Sequence, residues 1–203
     1  MAFLAALGNK IFGKRLYIGL AVALVGLEVL VPQPFLAAPY ATMQIAAVCC
    51  IAAGIALRAW GSGTAGRHTR SSTIEAARLV TSGPFAHVRN PIYLGTIFIG
   101  LGMSSLIGDP LAYLMAALAL GLLYFGIIPA EEDHLNRTFG EEYAQYRAAV
   151  PRLIPRIVPW SGARENAFDW RHARGELFIA MIVVLIYLAL QFEEYLDRMF
   201  PWA

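Results

Sequence analysis

The feature that most constrains this chain is an uncharged run of twenty residues, Leu111–Ala130. A helix rises about 1.5 Å per residue, so a helix of this length crosses about 30 Å of hydrocarbon. Backbone groups inside a bilayer must find partners within the protein, which leaves helices and closed barrels as spanning structures. The composition agrees, because 58% of the residues are hydrophobic and only 15% are charged, whereas soluble domains average about 45–50% and about 25%. We therefore expect an all-α integral membrane protein.

Further apolar runs predict about five transmembrane helices in total. Residues 1–15 are amphipathic and predict a helix on the membrane surface. Glu28 interrupts the first span, and we interpret it as an interfacial or helix-packing group, because the chain has no inverted repeat of the kind that transporters use. The last run has sixteen residues; this is a little short for about 30 Å of hydrocarbon, and we expect it to span with its ends at the interface. The four further spans are predicted at Leu16–Val31, about 42–60, 91–107 and Leu177–Phe192.

Glycine and proline mark the connections between these helices. A polar loop is predicted over 61–90, with a short helix near 73–81. The Gly-Asp-Pro sequence at 108–110 has the composition of a tight turn. After the uncharged run the pattern becomes amphipathic up to about residue 150, and Gly140 is expected to divide it into two short helices. Prolines make the following stretch, 150–155, too irregular for a helix.

The distribution of positive charge predicts the orientation. Of the sixteen Lys and Arg residues, three precede the first span, five lie between the second and third spans, and seven lie between the fourth and fifth. The positive-inside rule therefore places the N-terminus, the 61–90 loop and the 131–175 region in the cytoplasm. We expect a protein of a bacterial inner membrane with its active site on the cytoplasmic side. Its expected parts are an N-terminal interfacial helix and first hairpin (1–82), a central core (83–158), and a polar linker with a C-terminal span (159–203).

The stretch GPFAHVRNPIYLG, residues 83–95, is the first candidate for chemistry. It places His87, Arg89 and Asn90 directly before Pro91, which suits the first turn of a helix. The free amides of a helix N-terminus, together with a guanidinium, suit an anionic group. The alternative is that Arg89 is an ordinary arginine reaching the interface from the end of a membrane helix.

The second candidate is the acid pair Glu131–Glu132, which directly follows the uncharged run. Charge at that position is costly without a partner, although the two acids could also simply terminate a helix at the interface. With Arg89 and Arg152 they suit a polar, zwitterionic cofactor that carries both an ammonium and a carboxylate group. Aromatic rings that could stack on an adenine or face a sulfonium cation are those of Tyr93, Tyr143 and Tyr146.

Other classes of function fit less well. The net charge is only +2, and the basic residues are not interleaved with aromatic residues as a nucleic-acid groove requires. Glu131 and His134 form one E-x-x-H pair, the element that di-iron bundles use twice, but no second copy exists beyond a weak echo at Asp169 and His172. We therefore predict no metal. The adjacent cysteines, 49 and 50, read as small apolar residues.

The two candidate stretches together resemble a known family. GPFAHVRNPIYLG, an apolar hairpin and then EEDHLNRTFGEEYAQYRAAVPRLIP resemble the isoprenylcysteine carboxyl methyltransferase and phospholipid methyltransferase superfamily, over about residues 83–155. Members of that superfamily are integral membrane enzymes that use S-adenosylmethionine without a Rossmann domain. Three departures stand out: Asn90 replaces a common His, apolar residues at 127–129 replace charged ones, and about 48 residues follow the signature.

Most of the expected site residues are assigned from this resemblance. Arg89, Glu132 and Arg152 are expected to be catalytic. The expected cofactor-binding residues are His87, Arg89, Asn90, Pro91, Tyr93, Leu94, Gly95, Glu131, Glu132, Tyr143, Tyr146, Pro151, Arg152 and Pro155.

The implied activity is transfer of a methyl group from S-adenosylmethionine to a lipophilic acceptor, with S-adenosylhomocysteine as product. The acceptor would be an isoprenylcysteine-like carboxylate, a lipid amine or a small thiol that reaches the site from the bilayer. Beyond His87, His134 and the acid pair, no residue is an obvious general base, so we expect an acceptor that is already nucleophilic at neutral pH or that loses its proton to water. The competing hypothesis is a non-catalytic membrane scaffold or small-molecule transporter that has kept the fold.

Overall fold

The structure, a computed structural model, describes residues 40–66 and 78–199. Within those ranges all regular structure is helical, which confirms the all-α prediction. A 3₁₀ turn, Gly83–Ala86, precedes the second helix, and a π-helical segment, Leu123–Ile127, joins the third to the fourth. The interfacial helix, the first span and Glu28 lie outside the described residues. The helices are α1 (Tyr40–Ala65), α2 (Pro91–Ile107), α3 (Pro110–Leu122), α4 (Ile128–Phe139), α5 (Glu141–Ala149), α6 (Trp170–Ala173) and α7 (Gly175–Met199).

Three helical stretches in the described parts are long and apolar enough to cross a membrane. They are Thr42–Ala65, Pro110–Phe139 and Trp170–Ala189. The apolar helix α2 is shorter, with 17 residues, and matches the predicted third span residue for residue. The chain is thus a helical integral membrane protein.

The second span is longer than the sequence predicted. Helix α1 continues to Ala65, whereas the sequence placed the start of a polar loop at Gly61. This boundary was wrong because tertiary contacts override the weak helix propensity of Gly and Ser. The Ser62 hydroxyl donates to the buried Glu176 carboxylate at 2.7 Å. The short helix predicted near 73–81 is also absent over residues 78–81, and the rest of it lies outside the described residues.

The predicted turns are confirmed. Gly108 ends α2 in the left-handed region, with φ of 71°, and the Asp109 side chain accepts a hydrogen bond from the Leu111 amide at 2.7 Å. Gly140, with φ of 52°, separates α4 from α5. Between α3 and α4 the chain does not break, but the Ile128 amide bonds back five residues to the Leu123 carbonyl. This widened turn precedes Pro129, whose ring would clash with a regular α-helical backbone.

Helices α1 and α2 pack antiparallel at close range through glycine. A Cβ atom added at Gly95 would lie 2.6 Å from the Gly54 carbonyl oxygen and 2.6 Å from Cγ of Arg58. One added at Gly102 would lie 2.7 Å from the Ala47 carbonyl oxygen, and one at Gly61 would lie 2.8 Å from Cγ1 of Ile92. The close helix approach expected from the glycines of the third span is therefore confirmed, as is typical of helix pairs in membranes.

We expect Gly95→Ala to destabilise the protein by about 1–3 kcal/mol, because the added methyl group forces the two helix backbones apart. The matched control is Gly100→Ala on the same helix, where an added Cβ meets nothing within 4 Å. That control should be neutral or stabilising by up to about 1 kcal/mol, because glycine weakens a helix. Unfolding in mixed detergent–SDS micelles measures both; equal effects would contradict the observed packing.

Candidate functional site

The segment Gly83–Asn90 is fixed between helices. Gly83 has φ of 55°, and a Cβ atom there would lie 2.8 Å from the Thr64 hydroxyl oxygen, so both conformation and space require glycine. The Tyr146 hydroxyl donates to the Phe85 carbonyl at 2.8 Å. This segment leads directly into α2 at Pro91, and its position therefore sets that of Arg89 and Asn90.

An irregular segment after α5, residues 150–160, runs alongside Gly83–Asn90; we call it the strap. Three backbone hydrogen bonds join the two segments. The Arg89 amide donates to the Pro151 carbonyl at 2.9 Å, the Arg156 amide to the His87 carbonyl at 3.0 Å, and the Trp160 amide to the Ala86 carbonyl at 2.9 Å. The predicted irregularity of 150–155 is confirmed, and the strap brings Arg152 to the residues before α2.

Glu132 lies at the centre of the site. It is 4% exposed. Its Oε1 accepts from Nε of Arg89 at 3.0 Å, and its Oε2 accepts from Nη2 of Arg152 at 2.7 Å. The Asn90 amide nitrogen lies 3.5 Å from Oε1 and donates to the Arg152 carbonyl at 3.2 Å. One buried carboxylate thus joins both stretches that the sequence singled out, and we call these four residues the Glu132 cluster.

The Arg89 side chain connects several structural elements instead of extending to the membrane interface. Its Nη1 donates to the carbonyls of Arg147 and Val150, each at 2.7 Å. These carbonyls end α5, where a cation compensates the unpaired acceptors and the negative end of the helix dipole. With its side chain only 10% exposed, Arg89 ties α4, α5 and the start of α2 together.

Arg152 is the member of the cluster that solvent reaches most, with 27% of its side chain exposed. Its guanidinium carbon lies 5.4 Å from the ring centre of Tyr124. Burial would lower the pKa of Arg152, but its hydrogen bond with Glu132 and the charge of that carboxylate raise it, so the group stays cationic. The sequence reading missed Tyr124. It lies eight residues before Glu132, a spacing that falls within one broad face of a helix, and this spacing was a usable signal.

Tyr143 presents a buried hydroxyl that lacks a hydrogen-bond partner among the described residues. The residue is 1% exposed, and no described residue forms a hydrogen bond with its oxygen. Burial raises the pKa of Tyr143, the Glu132 charge raises it further, and nearby arginines only partly offset this. The phenol is therefore neutral. Buried polar atoms in folded proteins nearly always have a partner, so this oxygen indicates a position for a water molecule or a ligand atom.

We expect Tyr143→Phe to leave the free energy of unfolding unchanged or to raise it by up to about 1 kcal/mol, because it removes an unsatisfied buried group. Affinity for a ligand that bonds to the hydroxyl should fall about tenfold, the equivalent of one hydrogen bond. Thermal unfolding with and without S-adenosylhomocysteine measures both effects. A clear loss of stability in the unliganded protein would show that the hydroxyl has a structural partner.

The remaining predicted residues differ in burial and in what they contact. Pro91, Leu94 and Gly95 are buried, and Gly95 faces α1 instead of the cluster. Glu131, Tyr93 and Pro151 are partly exposed. The His87 ring forms a 2.9 Å hydrogen bond from Nδ1 with the Arg156 carbonyl; since a carbonyl only accepts, Nδ1 carries the proton. A groove of about 240 Å³ is lined by Leu57, Trp60, Pro84, His87, Val88 and Pro155.

The two E-x-x-H-like pairs do not form a shared site. His134 contacts the Thr138 hydroxyl one turn along α4, and His172 pairs with Asp169 at 2.8 Å. A backbone hydrogen bond from Arg171, followed by the bond with His172, lowers the pKa of Asp169, which begins α6. Within residues 40–66 and 78–199, no group of three or more His, Cys, Asp and Glu is placed to hold a metal ion.

Comparison with known proteins gives partial matches. The phospholipid methyltransferase family model matches residues 42–142, about half of the chain. A protein-S-isoprenylcysteine O-methyltransferase of Schizosaccharomyces pombe is 40% identical over 79 residues, which cover 39% of this chain and 34% of that protein. The human protein of the same name is 34% identical over 79 residues, covering 39% and 28%. The cobalt-zinc-cadmium resistance protein CzcN of Cupriavidus metallidurans is 32% identical over 112 residues, covering 53% and 51%.

This chain therefore spans between about a quarter and a half of the length of these relatives. No solved structure matches it. The family match includes α1, the whole of α2 to α4 and Glu132, and it ends just before Tyr143. By its matched segment and its sequence motifs, the chain belongs to the isoprenylcysteine carboxyl methyltransferase and phospholipid methyltransferase superfamily.

Proposed function

We propose that the protein transfers a methyl group from S-adenosylmethionine to a lipophilic acceptor at the cytoplasmic membrane surface. The observation that carries this proposal is the Glu132 cluster, in which one buried carboxylate holds two arginines beside a buried tyrosine hydroxyl that has no hydrogen-bond partner in the described part of the chain. Such a site offers a cation, an aromatic face and an unused hydrogen-bonding group within a largely buried setting.

The residues present fit the polar part of the cofactor. The partly exposed Arg152 guanidinium suits the cofactor carboxylate, and the orphan hydroxyl of Tyr143 suits another polar atom of the ligand. The ring of Tyr124 suits a sulfonium cation or an adenine. Glu131, which is more exposed than its neighbour, suits the ammonium or the ribose hydroxyls.

This assigns Glu132 a positioning role. Both of its oxygens already accept hydrogen bonds from arginine, so the carboxylate is better suited to orienting Arg89 and Arg152 than to receiving the cofactor ammonium. Arg89 in turn fixes the end of α5. Of the three residues expected to be catalytic, Arg152 is therefore the one proposed to touch the cofactor.

Bound S-adenosylmethionine would supply an activated methyl group on a sulfonium. Methyl transfer is an in-line displacement, so the protein contributes mainly by orienting the reactants and excluding water. The buried cluster of Leu79, Tyr143, Tyr146 and Val150, all at most 5% exposed, would back the cofactor side with a closely packed wall. Nδ1 of His87 donates in the hydrogen bond to the Arg156 carbonyl, which leaves Nε2 as the ring nitrogen that could accept a proton. For a protic acceptor, this nitrogen is the candidate proton acceptor.

The test uses S-adenosylmethionine with a deuterated methyl group. Purified protein in lipid nanodiscs is incubated with bacterial lipid extract, with N-acetyl-S-farnesylcysteine or with dodecanethiol, and the products are analysed by mass spectrometry. We expect label in one acceptor class and none with Glu132→Gln. If the protein binds S-adenosylhomocysteine but labels no acceptor, the result favours the non-catalytic scaffold hypothesis. If Glu132→Gln still labels an acceptor, the Glu132 cluster is not required for methyl transfer.

A further inference from the structure

The strap exposes three large apolar side chains outside any helix. Ile157 is 95% exposed, Ile154 is 81% exposed and Val158 is 66% exposed. They follow one another within five residues on a segment that also carries prolines at 151, 155 and 159. Single exposed apolar residues are ordinary, but a contiguous group of this kind marks an interaction surface.

The hydrogen bonds of the strap indicate how deep it lies relative to the membrane helices. Its backbone is bonded to Ala86, His87 and Arg89, which immediately precede the first residue of the apolar helix α2. On the neighbouring helix, Gly61 packs against Pro91 and Ile92, so the last turns of α1 lie level with the first turn of α2. The strap is therefore level with the ends of two membrane helices.

A second observation places the membrane boundary at the same level. Trp60, on α1, is 46% exposed, and tryptophan is enriched where membrane helices meet the headgroups. Trp60 and Pro155 both line the same groove. The strap therefore lies beside the end of a candidate span, at the level of Trp60.

The strap cannot lie deeper in the bilayer than the ends of these helices. Its irregular backbone leaves amide and carbonyl groups that need water or headgroups as partners, and lipid-exposed irregular backbone does not occur in hydrocarbon. Full exposure to the cytosol would leave three branched side chains in water. The headgroup layer satisfies both requirements.

We propose that the strap lies in the headgroup layer of the bilayer, with Ile154, Ile157 and Val158 in contact with lipid. The partner is the membrane surface itself. Because the same strap supplies Arg152 to the Glu132 cluster, the bilayer then supports the segment that closes the site. This inference does not depend on the proposed methyl transfer.

The test is fluorescence quenching of a bimane label in nanodiscs. Ile157→Cys is labelled in full-length protein in which Cys49 and Cys50 are replaced by alanine. Leu118→Cys, on the exposed face of α3 within a candidate span, is the lipid-facing control. Ala148→Cys, exposed on α5, is the water-facing control, and Ile154→Cys repeats the measurement on the strap.

We expect the label at Ile157 to lose most of its fluorescence with lipids spin-labelled near the headgroup and little with aqueous iodide. The label at Ala148 should do the reverse. If Ile157 follows Ala148, the strap lies in water. If neither quencher reaches it, protein covers it, either another segment of this chain or a second copy. Both of these results overturn the proposal.

Discussion

Glu132→Gln is expected to abolish binding of S-adenosylhomocysteine and to destabilise the protein by about 3–5 kcal/mol, because removing one partner of a buried ion pair leaves the other charge uncompensated. Here two guanidinium groups lose their counter-ion at once, Arg89 at 10% and Arg152 at 27% side-chain exposure. Glutamine keeps the shape of the side chain, so the effect isolates the charge. Binding of radiolabelled cofactor and chemical unfolding in micelles measure the two parts.

The matched control for this variant is Glu142→Gln. Glu142 also pairs with an arginine, Arg164, at 2.8 Å, but the two side chains are 39% and 60% exposed. Exposed pairs contribute about 0–1 kcal/mol, so this variant should retain stability and cofactor binding. If Glu132→Gln behaves like Glu142→Gln, the cluster does not organise the site.

Glu176→Gln is expected to destabilise the protein by a comparable amount, about 3–5 kcal/mol, but for a reason unrelated to the site. Glu176 is 3% exposed at the start of α7 and accepts from Nε of Arg58 at 2.8 Å and from the Ser62 hydroxyl at 2.7 Å. Arg58 also donates to the Thr96 hydroxyl. One ion pair thus holds α1, α2 and α7 together, and its loss should free α7.

A double variant separates the ion pair from simple damage. Replacing a buried pair by apolar residues of similar volume is often neutral or stabilising, so Arg58→Met combined with Glu176→Leu should recover most of the lost stability. Limited proteolysis of the irregular segment before α6, residues 161–169, and unfolding in micelles measure the recovery. A double variant less stable than Glu176→Gln alone would show that the polar contacts themselves are indispensable.

The sequence predicted the parts of this fold that depend on local chemistry. The uncharged run gave a spanning helix, Gly108 and Gly140 gave the breaks, and Pro91 gave the start of α2. These succeed because backbone conformation and hydrophobic length are properties of a few consecutive residues. The predicted end of α1 was wrong, because Ser62 and its neighbours are helical through contacts with distant residues.

The candidate site also has a part that the sequence predicted and a part that it did not. Both polar stretches were identified, and the structure brings Arg89, Asn90, Glu132 and Arg152 together. The sequence could not show that Glu132 is already occupied by two arginines, because the strap that delivers Arg152 is positioned by backbone hydrogen bonds, which carry no side-chain signature. The ion pair between Arg58 and Glu176 was not predicted either, because its partners are 118 residues apart in the sequence.

The most direct test of the central claim is isothermal titration of S-adenosylhomocysteine into the wild-type protein in lipid nanodiscs, beside the Arg152→Gln variant. Arg152 is the arginine proposed to touch the cofactor, and the loss of a charged hydrogen bond costs about 1.5–3 kcal/mol, or roughly 10- to 150-fold in affinity. The account predicts one site per chain in the wild type and binding weakened by that factor in the variant. Folded wild-type protein that produces no binding heat at several temperatures would contradict it.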